Sequence, residues 1–286
     1  MLGTHRHNPL LMGIVNVTPD SFSDGGRHAG VQEAVAHGLR LLDEGADVLD
    51  IGGESTRPGA DAVTARVEQD RVVPVIEGVL AARPDAVISV DTSKAVVAEA
   101  ALDAGARWVN DVTGLGDPDM APLCAGRDCE LVLMHMRGTP RTMQADTHYD
   151  DLVGEVIDVL QGRVGQAVGA GVARERVILD PGLGFAKDLA DNPRLVAAVP
   201  RLRALGHRVL IGASRKGFIG RLTDVPIAAE RVHGSVGAAL AAAWLGADVL
   251  RVHDVAATAQ ALAVQRAVYL AWVDASAPVS ATSGAA

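Results

Sequence analysis

The sequence predicts an α/β protein of a single domain, a closed (β/α)8 TIM barrel of eight parallel strands. Short β-branched apolar runs alternate with Ala- and Leu-rich segments of helical period along the chain. We count eight such units, and eight is the number of parallel strands that closes a barrel. The chain has 286 residues, 49% of them hydrophobic, which is enough for one core of the size such barrels need.

Each predicted strand is nearly continuous in apolar residues, as expected where both faces of a parallel sheet are buried. In order, the strands are predicted at Leu10 to Val15, Val48 to Ile51, Val87 to Val90, Trp108 to Val112, Leu131 to His135, Val177 to Leu179, Val209 to Ile211 and Val249 to Val252.

The helices are predicted between these strands from their Ala- and Leu-rich periodicity. In order, they are Gln32 to Glu44, Val63 to Ala82, Lys94 to Ala104, Asp117 to Ala125, Asp150 to Ala170, Asn192 to Leu205, Ala229 to Leu245 and Val255 to Val273. Several end in Gly-Ala-Asp or Gly-Ala-Arg, where glycine suits the left-handed turn that closes a helix. A doubly wound open sheet is the alternative architecture, since it also alternates strands with helices.

Two segments are predicted along the chain. Residues 1–274 form the barrel domain. Residues 275–286 contain Ser, Ala, Thr, Gly and one Pro without periodicity, and we expect them to be a disordered tail.

The composition excludes several classes of partner. A formal net charge of −9 leaves no basic surplus for nucleic acid or anionic lipid. Residues 1–8 carry no apolar stretch typical of a signal peptide, and the longest apolar stretches are far shorter than a membrane span. Cys124 and Cys129 lack zinc-site spacing and are interpreted as ordinary thiols in a reducing compartment. We therefore expect a cytoplasmic protein that binds small molecules.

Polar residues follow nearly every predicted strand, at the end of a parallel barrel where active sites form. Acidic, amide and imidazole side chains follow strands three to six, and cations follow strands seven and eight. They are Asp91, Asn110, Asp111, His135, Asp180, Ser214, Arg215, Lys216, Arg251, His253 and Asp254. This pattern predicts a site in two parts, an acidic pocket in the barrel mouth and an anion seat at its rim.

The residue types suggest what each part binds. A buried carboxylate such as Asp91 or Asp180 needs a ligand N–H or a fixed cation, which a heterocycle with an amidine-like edge supplies. Arg251, His253 and Asn16 suit a phosphate or diphosphate through charge-assisted hydrogen bonds. The Asn16 carbonyl could also bind a Mg²⁺ ion that keeps most of its waters.

Structural roles compete with these functional ones. Asp111 and Asp254 could simply cap the helices that follow them. Lys216 could pair with a neighbouring acid, and His135 could be a satisfied core histidine. The other histidines are interpreted as surface or structural residues: His5, His7, His28, His37, His148, His207 and His233.

The loops resemble those of the dihydropteroate synthase family, in the family's order, over Leu10 to Val273. The matching motifs are residues 16–26 (NVTPDSFSDGG), 53–59 (GESTRPG), 89–92 (SVDT), 109–111 (VND), 133–136 (LMHM), 179–182 (LDPG), 184–185 (GF), 214–216 (SRK) and 251–254 (RVHD). The first two and the last two are the specific ones.

The resemblance implies a homodimeric enzyme of folate biosynthesis. It would condense 6-hydroxymethyl-7,8-dihydropterin diphosphate with p-aminobenzoate to 7,8-dihydropteroate and pyrophosphate, and it would be a target of sulfonamides. The pterin would be held by Asp91, Asn110, Met134, Asp180, Phe185 and Lys216. The diphosphate would be held by Asn16, Thr56, Arg251 and His253, with Mg²⁺ on Asn16.

The resemblance also assigns the second substrate and the catalytic groups. Two loops would close over the site, and the p-aminobenzoate pocket would contain Phe22, Arg57, Pro58, Phe185, Lys216 and Gly217. The catalytic residues would be Asp20, Arg57, Lys216, Arg251 and His253. Gly217 is a departure, because the family often has Ser there; the carboxylate of p-aminobenzoate would then depend on backbone N–H groups or a helix N-terminus.

The chemistry expected is loss of pyrophosphate before amine attack, since a pterin ring can delocalise positive charge. Three other functions remain open from the residues. A methyltetrahydrofolate:corrinoid methyltransferase shares the barrel and pterin pocket but has no use for an anion seat. A class I aldolase would use Lys216 as a Schiff-base amine. A degenerate paralogue would bind pterin without turnover.

Overall fold

The computed structural model of the protein describes residues 8–17, 26–55, 59–139 and 141–275. Within them, eight parallel strands close into one barrel in chain order, β1 to β8, with β8 pairing back to β1. The strands are β1 Leu10–Asn16, β2 Val48–Gly52, β3 Ile88–Asp91, β4 Trp108–Asp111, β5 Glu130–Met134, β6 Val177–Asp180, β7 Arg208–Ile211 and β8 Val249–Val252. The predicted barrel is confirmed, and the open doubly wound sheet is wrong.

Ten α-helices lie around the barrel in the part of the chain that the structure describes. They are α1 Gly26–Asp43, α2 Ala65–Ala82, α3 Ala95–Asp103, α4 Met120–Arg127, α5 Leu152–Gly169, α6 Asp191–Ala197, α7 Val199–Arg203, α8 Gly217–Thr223, α9 Val232–Trp244 and α10 Val255–Ala275. No described helix is long and apolar enough to cross a membrane. The predicted tail lies outside the described residues except for Ala275, which ends α10.

Two differences from the predicted helices have local causes. The segment predicted as one helix over Asn192 to Leu205 is α6 and α7, because Pro200 has no N–H with which to continue the hydrogen-bond ladder. The seven-residue helix α8 was not predicted, since it directly follows the polar residues after β7 that were assigned to a loop.

Alternation along each strand determines which side chains enter the barrel. A lower layer of inward-facing side chains is apolar and forms one buried cluster of Met12, Val48, Trp108, Val132, Ile178, Leu210 and Val249. The residues between them, such as Leu49 and Val109, pack outward against the helices in the main core. Two positions further along several strands, the inward-facing side chains are polar, so the barrel is plugged by apolar residues below and lined by polar ones at its mouth.

The strand register brings these polar ends to one level. Asp91 lies opposite Asn110 on β4 and opposite Gly52 on β2. Met134 lies opposite Asp180. The predicted meeting of acidic and amide side chains at one end of the barrel is therefore present.

Candidate active site

The barrel mouth contains a buried cluster of two carboxylates, an amide and a guanidinium. The Arg251 Nε donates to Asp50 Oδ2 at 2.6 Å, and Arg251 Nη2 donates to Asp91 Oδ2 at 2.6 Å. The Asn110 amide donates to the same Asp50 oxygen at 2.9 Å. The other Asp50 oxygen, Oδ1, is buried without a hydrogen-bond partner. These hydrogen bonds link β2, β3, β4 and β8 around the Arg251 guanidinium.

Asp91 has a pKa well above that of an ordinary aspartate. Burial raises its pKa from 3.8 to about 7, against the attraction of Arg251, and Asp50 adds repulsion in the same direction. The carboxyl group is therefore poised to change its charge near neutral pH. A group that titrates in this range at a barrel mouth is typical of a functional site.

Asp180 ends β6 and is buried, and burial raises its pKa. Its Oδ1 accepts a hydrogen bond from the Gly182 N–H at 2.7 Å, which opposes that rise. Gly182 adopts a φ of +70°, and a Cβ at this position would lie 2.0 Å from the His135 carbonyl oxygen. The turn after β6 therefore requires glycine, and it fixes where the Asp180 carboxylate points.

Lys216 and Phe185 contact each other near these acids, since the charge of Lys216 acts on both Asp91 and Asp180. The Lys216 Nζ lies 4.1 Å from the centre of the Phe185 ring, a cation–π contact. Burial lowers the pKa of Lys216 to about 8, with Arg251 acting in the same direction and Asp180 against it. Phe185 packs in a small buried cluster with Met134 and Met143. Buried carboxylates, an amide, an ammonium and an aromatic ring are groups that suit a flat, hydrogen-bonding heterocycle, and we refer to Asp91, Asn110, Asp180, Phe185 and Lys216 together as the slot.

His135 is the core histidine of the structural interpretation. It is 1% exposed, and its Nδ1 accepts a hydrogen bond from Lys187 Nζ at 3.0 Å. Burial lowers its pKa to about 3, so the ring is neutral at physiological pH. Lys187 itself is buried, which the sequence analysis did not anticipate.

Asp111 and Asp254, for which a capping role competed with a functional one, have different partners in the structure. Asp111 faces outward and accepts hydrogen bonds from Thr113 and from the Leu115 N–H, so it stabilises the loop after β4. Asp254 forms two hydrogen bonds with Arg215, at 3.0 and 2.6 Å. The Arg215 charge is thereby held by a carboxylate rather than offered to an anion.

The rim residues lie at different depths. Asn16 is exposed at the end of β1, whereas Arg251 lies opposite Met12, four residues earlier on that strand. His253 is fixed by Ser214, whose hydroxyl lies 3.1 Å from the ring Nδ1 and accepts from the His253 backbone N–H at 3.1 Å. The structure therefore places Arg251 in the pocket, with Asn16 and His253 above it.

Five predicted site residues lie outside the described residues: Asp20, Phe22, Thr56, Arg57 and Pro58. The base of the second loop is described. Glu54 pairs with Lys94 and accepts from the Val63 N–H at 3.1 Å, and Lys94 also contacts the buried Glu68 at 2.5 Å. This ion cluster anchors both ends of the segment that carries three of those residues.

Sequence reasoning missed Asp50 and Lys187. Asp50 stands within a predicted strand, two residues after the inward-facing Val48, and that spacing is the signal that places its side chain inside the barrel. The sequence indicates a special role for Lys187 only weakly: lysine is rare in this chain, with three lysines among 26 lysine and arginine residues.

Comparison with known proteins agrees with this site. The sequence profile of the family described as pterin binding enzyme matches residues 12–253. The dihydropteroate synthase of Neisseria meningitidis serogroup B is 51% identical over 266 residues, which cover 91% of this chain and 93% of that protein.

Two solved structures share the fold and most of the length. Dihydropteroate synthase from Xanthomonas albilineans with 4-aminobenzoic acid is 53% identical, with a TM-score of 0.87 over 92% of this chain and 93% of that one. The Yersinia pestis enzyme in complex with a sulfonamide drug is 45% identical, with a TM-score of 0.86 over 92% and 94%. With its fold, its buried acidic pocket and these matches along nearly its whole length, the chain belongs to the dihydropteroate synthase family of pterin-binding enzymes.

Proposed function

We propose that the protein condenses 6-hydroxymethyl-7,8-dihydropterin diphosphate with p-aminobenzoate, forming 7,8-dihydropteroate and releasing pyrophosphate. The observation that carries the proposal is the meeting of Asp91, Asn110, Asp180 and Lys216 at the barrel mouth, with the Phe185 ring against Lys216. These hydrogen-bonding groups and the aromatic ring suit a pterin, and the relatives of the chain are dihydropteroate synthases.

The pterin would be bound by complementary groups. The Asp180 carboxylate accepts from the amino and ring N–H groups of the pyrimidinone edge, and Asn110 can both donate and accept. The Lys216 ammonium donates to a ring acceptor, while Phe185 and Met134 contact the ring. Asp91 is freed for the ligand when Arg251 leaves it, and Asp50 keeps its hydrogen bond to the Arg251 Nε.

The diphosphate would lie at the rim, between Arg251, His253, Asn16 and Thr56. The exposed Asn16 oxygen is one neutral ligand, which fits a Mg²⁺ ion whose other ligands are water and diphosphate oxygens. The described residues contain no group of three or more His, Cys, Asp or Glu that could hold a metal by themselves. When bound, Mg²⁺ would neutralise charge on the diphosphate.

The reaction would begin with cleavage of the bond between the pterin methylene carbon and the diphosphate oxygen. Arg251 and His253 stabilise the negative charge that grows on the departing pyrophosphate. The positive charge left on the pterin is delocalised over its ring and stabilised by Asp20. The amine nitrogen of p-aminobenzoate then bonds to the methylene carbon and loses a proton, which the released pyrophosphate can accept. Closure of the loops would exclude water, which would otherwise capture the cation.

The p-aminobenzoate pocket would be formed by Phe22, Arg57 and Pro58 with Phe185, Lys216 and Gly217, and sulfonamides would compete there. Gly217 is the first residue of α8, and no heavy atom lies within 4 Å of a Cβ built on it. The carboxylate would therefore meet backbone N–H groups with free space around them.

The test is pyrophosphate release that requires both the pterin diphosphate and p-aminobenzoate, with Mg²⁺ present. Binding of pterin without turnover would indicate the degenerate paralogue. Methyl transfer from methyltetrahydrofolate to a corrinoid, or borohydride trapping of an aldehyde on Lys216, would support the other two alternatives and exclude the synthase.

We further propose that the protein is a homodimer and that its partner surface includes α10. Val264, Val268 and Trp272 are exposed at successive i, i+4 positions, and Trp244 packs edge to face on Tyr269 at 5.9 Å beside them. Exposed apolar side chains grouped on one surface are typical of an interface. Sedimentation should give a dimer, and Val268→Asp should give a folded monomer.

We also propose a cytoplasmic location, because Cys124 and Cys129 are free thiols buried in the core. Cell fractionation would test it, and recovery of activity outside the cytoplasm would contradict it.

A further inference from the structure

Lysine is rare in this chain and is concentrated near the barrel mouth. Three of the 26 lysine and arginine residues are lysines, namely Lys94, Lys187 and Lys216. Each follows a strand, β3, β6 or β7, on the side where the site lies. Lys94 pairs with two glutamates and Lys216 contacts Phe185, whereas Lys187 has no role in the proposed reaction.

The Lys187 ammonium has three uncharged acceptors. It is 2.7 Å from the Phe185 carbonyl oxygen, 3.0 Å from His135 Nδ1 and 3.5 Å from the Gly182 carbonyl oxygen. These match the three N–H donors of an ammonium group. Lys187 is 4% exposed, and it forms no salt bridge with any acid of the described residues. A buried cation without a contacting carboxylate is costly, and an apolar side chain would fill the same space at less cost.

The acid that benefits from this charge is Asp180. Gly182 connects the two, since its N–H donates to Asp180 Oδ1 at 2.7 Å while its carbonyl oxygen faces Lys187. Burial raises the pKa of Asp180, and the positive charge of Lys187 adds to the Gly182 N–H, Lys216 and Arg251 in opposing that rise. The negative charge of Asp180 in turn raises the pKa of Lys187 against burial. The same ammonium donates to the Phe185 carbonyl oxygen, and the Phe185 ring contacts Lys216.

We propose that Lys187 is a positioning residue of the pterin pocket, which holds the turn carrying Phe185 and supplies the buried positive charge that keeps Asp180 an acceptor for the pterin. The proposal rests on the proposed pterin-binding function. Lys216 and Arg251 also favour the charged form of Asp180, but both would turn to the substrate. Lys187 is too deeply buried to do so, and its charge remains behind Asp180 in the complex.

The charged groups around Lys187 come from several elements. Burial lowers its pKa to about 7, Asp180 and Asp191 oppose this, and Arg137 and Lys216 add to it. His135 stays neutral beside it, and the Tyr149 ring lies 5.6 Å from its Nζ. Asp180 is therefore the first of the acids that hold the proton on Lys187 against burial.

Ligand binding is the first test. Lys187→Met keeps the length of the side chain and removes its charge, and it should weaken the binding of 6-hydroxymethylpterin about tenfold by calorimetry, in the usual range of coupling between sites. The KM for the pterin diphosphate should rise by a similar factor, with kcat and the KM for p-aminobenzoate changed less. Lys187→Arg, which keeps the charge, should recover part of the affinity.

Lys94→Met is the matched control, because the Lys94 ammonium donates to Glu54 and Glu68 and to none of the five residues of the slot. The Lys94→Met variant should have lower thermal stability, but it should bind 6-hydroxymethylpterin as tightly as the wild type. A folded Lys187→Met protein with the affinity of the wild type would overturn the proposal and leave Lys187 a purely structural residue.

The second test needs no ligand. Lysine labelled with ¹³C at Cε gives three signals, which the three Lys→Met variants assign, and a pH titration yields the pKa of Lys187. Asp180→Asn should lower that pKa, and an unchanged value would overturn the proposal even if pterin binds. If the wild type does not bind pterin, the proposed function fails, while this titration still reports on the link between Lys187 and Asp180.

Discussion

Asp180 differs from the other acids of the mouth in what holds it. Asp50 and Asp91 share the Arg251 guanidinium, whereas the Asp180 Oδ1 accepts from a backbone N–H of its own turn. The Gly182 N–H belongs to the backbone and cannot turn to a ligand as a side chain can. The Asp180 carboxylate therefore keeps its orientation whether or not a ligand is bound. That constancy supports the proposal that Asp180 binds the edge of the pterin.

Replacing Asp180 by Asn should abolish pterin binding. The variant keeps the shape but lacks the charge, and its NH2 group can face the pterin donors. Loss of two charge-assisted hydrogen bonds corresponds to at least roughly 100-fold in affinity. Calorimetry with 6-hydroxymethylpterin measures it, with Asp111→Asn as the control, since Asp111 serves only its own loop. Undiminished binding to Asp180→Asn would refute this assignment.

Asp50 should affect both the pKa of Asp91 and the stability of the protein, because its charge acts on Asp91 and it accepts a hydrogen bond from Arg251. Asp50→Asn removes one carboxylate from Arg251 and one source of repulsion from Asp91, so the pKa of Asp91 should fall from its value of about 7. The lost charge-assisted hydrogen bond should lower the free energy of unfolding by about 2 kcal/mol. Carboxyl ¹³C NMR and urea unfolding measure the two effects. An Asp91 pKa that stays the same or rises would contradict the electrostatic account.

The acids and the amide at the strand ends could be predicted from residue type and position. Asp91, Asn110 and Asp180 were expected in one pocket on that ground, the family resemblance added Lys216, and the structure brings the four together. The partner of Arg251 could not be predicted in the same way, because a long side chain can reach either inward or to the rim. Only the register, which puts Arg251 opposite Met12, shows how deep it starts.

At the level of elements, the strands were predictable because burial on both faces leaves a continuous apolar run. The ends of the helices were harder to predict from the sequence. The break between α6 and α7 depends on Pro200, which the apolar periodicity does not reveal. Helix α8 has seven residues, too few for a periodic pattern to be recognised.

The turn after β6 gives the sharpest prediction at this level. Gly182→Ala places a Cβ 2.0 Å from the His135 carbonyl oxygen at a φ of +70°, so the turn must move. The Gly182 N–H would then leave Asp180, and both pterin affinity and stability should fall, stability by about 1 to 3 kcal/mol. Gly217→Ala is the control, because its Cβ meets nothing within 4 Å. Equal thermal stability of the two variants would show that the turn is not restrictive.

Over the whole molecule, one layer of side chains inside the barrel contributes to stability, and the layer above it forms the candidate site. The lower inward-facing layer is apolar and closes the barrel, and the upper one concentrates charges that water would otherwise solvate. Sequence alternation predicts both layers once the inward face is known. Asp20, Phe22, Thr56, Arg57 and Pro58 lie outside the described residues, so their roles stay predictions.

This concentration of charge predicts an unusual pH dependence of stability in the ligand-free protein. The pKa of Asp91 is raised from 3.8 to about 7, so between these values the folded state binds more protons and stability falls as pH rises. The pKa of Lys216 is lowered from 10.5 to about 8, so above about pH 8 the unfolded state binds more protons and stability rises again.

The mouth should therefore contribute a stability minimum near neutral pH, where the acid and the lysine are both charged. Urea unfolding of wild type and of Lys216→Met across this range isolates the lysine. The free energy of unfolding of wild type relative to the variant should rise by up to about 1 kcal/mol per pH unit between pH 8 and 10. A constant difference would mean that Lys216 is solvated like a surface lysine, and the slot would then be too open to hold a pterin away from water.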